Sequence, residues 1–136
     1  MDKKDTAIER MSRAMFTRII SSLTRTMQEE ELSVAQVAAL HLVDERGSMR
    51  IGDVGIELDS AAPSTSRMID DLVDRNFLER KEDATDRRAR VVSLTPKGAK
   101  FIARAGEARV KAIAAGLNEV PEQTVELVLS IIRRRK

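Results

Sequence analysis

Three arginines, Arg87, Arg88 and Arg90, fall within four positions of one another, directly after Asp86. A guanidinium is permanently charged and forked, so a cluster of them suits phosphate oxygens and the acceptor atoms on base edges. Asp86, two residues before Arg88, is placed to pair with it and fix its direction. Arg80–Lys100 as a whole carries seven Lys or Arg against three Asp or Glu. The alternative for such a segment is a basic hairpin that only keeps a sheet edge soluble. A second set lies upstream in Ala61-Ala62-Pro63-Ser64-Thr65-Ser66-Arg67. Small residues allow close approach to a surface. The hydroxyls of Ser64 and Ser66 can bond phosphates or bases, and Arg67 suits a bidentate contact to guanine. Here the alternative is a solvated helix face.

Other chemistry is poorly supplied. The 136 residues contain no Cys, which excludes disulfides, thiolate catalysis, Cys-metal sites and thiol redox sensing. His41 is the single His, so any Ser-His-Asp triad or histidine metal site would depend on it. It lies on a segment expected to be buried, where a core histidine is the simpler assignment and a ligand contact the alternative. No Gly-rich phosphate loop or paired-carboxylate motif is present, and no cofactor or metal is implied. Lys and Arg number 24 against 22 Asp and Glu, a net charge of +2. A nucleic-acid partner must therefore be argued from where the positive charge sits. No apolar leader is visible and no run reaches the ~20 apolar residues of a membrane span, so a cytoplasmic chain without membrane contact is expected.

The elements that must position these side chains can be read from periodicity. Ile8, Met11, Met15, Ile19, Leu23 and Met27 recur at helical spacing over 6–28, and Phe16 and Ile20 widen the stripe. Met11, Met15 and Met27 would suit an adaptable pocket, but interface packing accounts for them more simply. Ser33 with Gln36 has capping-box spacing before a helix over 34–46 that is apolar nearly all round and expected at the centre, with Gly47 at its end. Ser48-Met49-Arg50 reads as a short extended piece. A short helix over 51–58, a turn at Asp59-Ser60 and a helix over 61–75 follow. Thr65, Met68, Ile69, Leu72 and Val73 should face inward on the last of these, with Ser64, Arg67, Asp71 and Arg75 outward.

The period then changes to that of strands. Phe77–Glu82, a polar turn over 83–87 and the alternating Arg88–Leu94 predict a hairpin with a flexible basic tip. Thr95-Pro96 is a helix start, with Thr as cap and Pro at the first helical position. That helix runs to Leu117, and a last one over 121–134 carries Val125, Val128, Leu129 and Ile132 on one face, with Leu127 and Ile131 flanking. Arg133–Lys136 is a basic tail, best read as solvated. The length fits a single domain. The fold expected is mainly α with a small β-hairpin wing: a winged helix-turn-helix over 34–98, flanked by helical regions at 5–30 and 99–134 whose wide apolar faces suit an interface.

Asp86-Arg87-Arg88-Ala89-Arg90-Val91-Val92-Ser93-Leu94-Thr95-Pro96-Lys97-Gly98 resembles the D-x-R-x5-L-T-x-x-G signature of the multiple antibiotic resistance regulator (MarR) family. Ser64–Leu72 resembles that family's recognition helix, and Phe77–Arg80 the strand entry after it. The resemblance implies a homodimer whose terminal helices interlock, binding a palindromic site on double-stranded DNA to regulate transcription, as a repressor in many relatives. It implies major-groove contacts from Ser64, Ser66 and Arg67, with Pro63 beside them counted among the DNA-binding residues. The wing contacts would come from Arg87, Arg88 and Arg90, with Arg88 in the minor groove and Asp86 as its support. Many relatives are released by small anionic or phenolic ligands; no residue here is assigned to one. Three positions depart from the usual pattern. Gly55 replaces Ala and is expected to loosen the short helix, and Asn76 replaces Gly at a helix end. Ala61 replaces a Ser cap, so the recognition helix is expected to use Ser60 or to start at Pro63. The alternative function is a winged-helix module that docks a protein; an enzyme is the poorest fit.

Overall fold

The computed structural model describes residues 2–134. The chain is mainly helical: α1 (Lys3–Glu30), α2 (Val34–Arg46), β1 (Met49–Arg50), α3 (Ile51–Glu57), α4 (Ala62–Asp74), β2 (Leu78–Glu82), β3 (Arg90–Leu94), α5 (Pro96–Leu117) and α6 (Glu122–Arg133). It divides into two compact units, Met27–Arg104 and the remainder, the described residues up to Thr26 with those from Ala105 on.

In the Met27–Arg104 unit the helix starts follow local chemistry. Ser33 accepts from the Gln36 amide at 3.1 Å while Gln36 Oε1 accepts from the Ser33 amide at 2.9 Å, so two otherwise orphaned donors at the head of α2 are satisfied. Gln36 also donates through Nε2 to Asp71 at 2.5 Å, tying α2 to α4. Gly47 ends α2 with a φ of 81°, and Asn76 follows α4 with a φ of 62°, the left-handed conformation that Asn tolerates. The Thr95 hydroxyl accepts from the Gly98 amide at 3.1 Å, capping α5 ahead of Pro96.

The strands form one antiparallel sheet in the order β1-β3-β2, with Met49 opposite Val92, Leu78 opposite Leu94 and Glu82 opposite Arg90. Val92 is fully buried on the central strand. The core gathers Leu40, Val43, Val54, Ile69, Leu72 and Phe77, and the Phe77 and Phe101 rings meet edge to face with centroids 5.8 Å apart. Helix α2 is less central at its head than its composition predicts, because Val34 stays exposed at the first turn.

In the other unit α1 and α5 come close. A Cβ on Gly116 would lie 3.1 Å from Met15 Cγ and 3.3 Å from the Ala14 carbonyl. Of the predicted α1 stripe only Met15 is buried, whereas Ile8 is exposed, as are the flanking Phe16 and Ile20. Helix α6 buries no residue at all, although Val125, Val128, Leu129 and Ile132 share a face.

Candidate nucleic-acid interface

The turn between α3 and α4 sets the N-terminal end of the candidate recognition helix. Asp59 takes a φ of 51°, and the Ser60 amide returns to the Gly55 carbonyl at 2.9 Å. Helix α4 then starts at Ala62, with Ala61 as an N-cap that offers no side-chain bond. Neither Ser60 nor Pro63 plays the part expected of it. Pro63 sits at the second helical position, where its missing N–H removes a donor that would otherwise need a cap. The Thr65 hydroxyl, turned inward, donates to the Ala61 carbonyl at 3.1 Å.

That inward turn of Thr65 explains Gly55. A Cβ at position 55 would stand 2.8 Å from Thr65 Oγ1 and 3.3 Å from the Ser60 carbonyl. Gly55 thus leaves room for the inward Thr65 hydroxyl where α3 meets α4. With Thr65, Ile69 and Leu72 buried, Pro63, Ser64, Ser66 and Arg67 are all exposed at the start of α4. Asp71 and Arg75, expected on the same outer face, are used internally. Asp71 receives the Gln36 amide group, and Arg75 donates to the carbonyls of Glu30 and Glu31 and lies 5.4 Å from the Phe77 ring centre.

The wing tip is more tightly bonded than its polar residues suggest. The Asp83 amide donates to the Ala89 carbonyl at 3.2 Å, and the Ala89 amide to the Asp86 carbonyl at 3.1 Å. Asp83 Oδ1 accepts from the Thr85 amide at 3.1 Å, and Asp86 Oδ1 from the Arg88 amide at 3.0 Å. These are successive Asx turns, in which an aspartate side chain imitates a turn carbonyl. Asp86 therefore supports Arg88 through its backbone N–H and not, as expected, through its guanidinium.

Charge pairing sorts the basic residues. Arg80 bonds Asp70, Lys81 lies 3.0 Å from Glu79, and Arg90 lies 3.4 Å from Glu82. Lys97 donates to the Arg75 carbonyl at 2.9 Å and sits 4.3 Å from the Phe77 ring centre. Arg67, Arg87 and Arg88 are exposed and make no ion pair among the described residues. The unit around them is not basic: Met27–Arg104 holds 12 Lys or Arg against 15 Asp or Glu. In this unit the exposed cations without an ion pair among the described residues are Arg67 at the start of α4, Arg87 and Arg88 at the wing tip, and Lys97 and Lys100 on α5, of which Lys97 is held by the Arg75 carbonyl.

Residues 32–89 match the MarR family profile. The chain is 29% identical over 133 residues to an uncharacterised HTH-type transcriptional regulator of Mycobacterium bovis, Mb0904, covering 93% of this chain and 87% of that one. Over residues 32–89 the chain is thus similar to the MarR family. Its matched relatives are named as helix-turn-helix transcriptional regulators. It is also 25% identical over 85 residues to the HTH-type transcriptional repressor MdtR of Bacillus subtilis, covering 62% of this chain and 55% of that one. A MepR variant of S. aureus, bound to an oligodeoxyribonucleotide, shares the fold with a TM-score of 0.68 at 15% identity, covering 98% of this chain and 96% of that one.

His41 is half-buried rather than in the core, with Nδ1 2.9 Å from the Val37 carbonyl one turn back. Among the described residues no helix is long and apolar enough to cross a membrane. Arg133 and Arg134 are exposed; Arg135 and Lys136 of the basic tail lie outside the described residues. Sequence reasoning missed Arg50, whose Nε donates to Asp83 at 2.7 Å. The available signal was an Arg at a helix N-cap position, where Ser, Thr, Asp and Asn are preferred.

The Thr85 amide, and after it the Arg50 guanidinium, hold the Asp83 carboxyl below the ordinary carboxylate range. A carboxyl lowered on folding contributes stability above its unfolded pKa and loses it as pH falls through the folded one. The Asp83 contribution is therefore intact at neutral pH and disappears only in acid. Carbon-detected NMR titration should place the Asp83 midpoint below the reference of about 3.9. A midpoint at or above that reference would contradict the bonding described.

Proposed function

We propose that the chain is a homodimeric repressor that binds a palindromic operator on double-stranded DNA. The observation that carries this is the exposure of Arg67, Arg87 and Arg88, unpaired among the described residues, on two adjacent elements of a unit otherwise balanced toward acid. Pro63, Ser64, Ser66 and Arg67 enter the major groove, where small side chains permit approach and Arg67 takes a guanine edge. Arg88 reaches the neighbouring minor groove, whose narrow A·T stretches attract guanidinium, while Arg87 and Arg90 engage phosphates. Phosphate contacts supply much of the affinity, and the α4 and wing contacts supply specificity.

The dimer is supported by apolar surface that one chain leaves uncovered. Ile8, Phe16 and Ile20 on α1, Val110 on α5 and Leu127, Leu129 and Ile132 on α6 are exposed. Residues 5–30 and 99–134 thus form the dimerisation region and 34–98 the DNA-binding lobe. Two symmetric lobes read half-sites whose centres lie about one helical turn, ~10 bp, apart. Repression follows where the bound dimer overlaps a promoter, a role supported by the name of the MdtR relative. A small anionic or phenolic ligand releases the DNA by binding more tightly to a dimer whose lobes no longer match that spacing; equal affinity for both shapes would shift nothing.

Selection of bound duplexes from a random pool at about 150 mM salt tests this, because such salt suppresses purely ionic binding. The expected product is a near-palindrome with half-sites one turn apart. Absence of enrichment by protein shown to be folded and dimeric would reject sequence-specific binding.

A further inference from the structure

Arg50 occupies the N-cap position of α3 and makes no capping bond, as its donor-only side chain dictates. Its guanidinium instead reaches the wing. Nε lies 2.7 Å and Nη2 2.5 Å from Asp83 Oδ2. The other carboxylate oxygen, Oδ1, accepts the Thr85 amide at 3.1 Å and the Thr85 hydroxyl at 3.2 Å. One carboxylate thus holds the residue that leads into the helix-turn-helix and, at the same time, the backbone of the wing tip. The link spans the sheet, since Arg50 pairs with Val91 on the central strand and Asp83 follows β2 on the far side. Asp83 is well covered, with 15% of its side chain exposed, whereas Ala84 to Arg88 beyond it are exposed throughout.

We propose that the Arg50–Asp83 pair is a positioning device that fixes the direction of the wing against the helix-turn-helix and thereby where Arg88 meets DNA. The inference rests on the reading of the wing as a DNA contact. A pair between partly exposed side chains adds little to folding stability. Its leverage is geometric: Arg88 sits five residues further along the tip, so a small rotation at Asp83 displaces it from a narrow groove. A cap-competent residue at position 50 would serve α3 better, so Arg at that position sacrifices local helix stability for a connection made elsewhere.

The Arg50→Ser variant separates the two roles, because Ser supplies the missing cap while removing the clip. Its thermal midpoint should equal or exceed that of the wild type. Its affinity for the selected duplex should fall about 3- to 10-fold, with base preference lost under the wing and retained at the α4 positions. Asp83→Asn, which keeps an acceptor for Thr85, should show the same loss of affinity and of wing preference, at a somewhat lower thermal midpoint because it removes the Asp83 charge and supplies no cap. In combination with Arg88→Ala, Arg50→Ser should add no further loss, because the clip acts through Arg88. Additive losses, or wild-type wing preference in Arg50→Ser, would overturn the inference while leaving the DNA reading standing. A wild type that selects no duplex would remove the DNA reading and this inference with it.

Discussion

Gly98→Ala is expected to destabilise the protein by about 3 kcal/mol, although Gly-to-Ala changes inside helices ordinarily stabilise by up to ~1 kcal/mol. A Cβ at position 98 would stand 2.2 Å from the Phe77 carbonyl oxygen, 3.2 Å from its carbon and 3.1 Å from Leu94 Cδ2. Something must move, and the neighbours resist. That carbonyl accepts the Thr95 amide and the Thr95 hydroxyl, both at 3.2 Å. The Phe77 ring is 1% exposed and packed on Phe101, and Lys97 ties the first turn of α5 to the Arg75 carbonyl. Retreat of α5 would break these bonds, at about 1 kcal/mol each, and open the aromatic contact. Equilibrium unfolding in urea measures the effect as a lower midpoint at unchanged slope. Gly106→Ala is the control on the same helix: beyond the helix's own backbone, Arg109 Nη2 at 3.9 Å is the only atom among the described residues near its new Cβ, so the ordinary stabilising sign should return. Equal or greater stability of Gly98→Ala would refute the packing argument.

Features whose causes are local in sequence were legible without coordinates. The Ser33–Gln36 box, the left-handed Asn76, the Thr95-Pro96 start and the alternation around Val92 each depend on residues within a few positions of one another. Features that depend on distant partners were not legible. The basic excess over Arg80–Lys100 could be counted, but not that Arg80 is drawn off by Asp70, ten positions away. The Arg50–Asp83 contact joins residues 33 positions apart and depends on sheet order. Gly55 looked like a weakness in a helix because its reason, the inward Thr65 hydroxyl, belongs to the next helix. The Asp86 side chain was correctly placed beside Arg88 but assigned to the wrong group, since charge complementarity points to a guanidinium whereas turn geometry offers the nearer amide. The apolar faces of α1 and α6 were visible as stripes wide enough to suit an interface, and the structure buries only Ala7 and Met15 of α1 and no residue of α6.

Arg88→Ala should weaken binding to the selected operator about 10- to 100-fold, or ~1–3 kcal/mol, while leaving the fold intact. The separation is possible because the structural role of Arg88 and its proposed role on DNA use different atoms. Its amide closes the Asx turn on Asp86 at 3.0 Å and survives truncation to Ala, whereas its guanidinium makes no ion pair among the described residues and is exposed. If Arg88 lies in the minor groove of a site bound by a symmetric dimer, as proposed, its removal should flatten the A·T preference at the outer positions of each half-site, and the loss is suffered twice. Arg67→Ala should instead relax one inner position, because a bidentate major-groove contact reads a single base pair. Arg90→Ala should cost less than either, since Arg90 is already 3.4 Å from Glu82 and its release from DNA is partly compensated. If it contacts phosphate, its loss should also lower the salt slope by about one with no change in base preference. Titrations of labelled operator at several salt concentrations, with point-substituted duplexes, distinguish the three patterns. Unchanged affinity and unchanged outer-base preference in Arg88→Ala would refute the wing assignment. A uniform loss across all duplexes would move Arg88 to the phosphate backbone and leave α4 as the sole source of specificity.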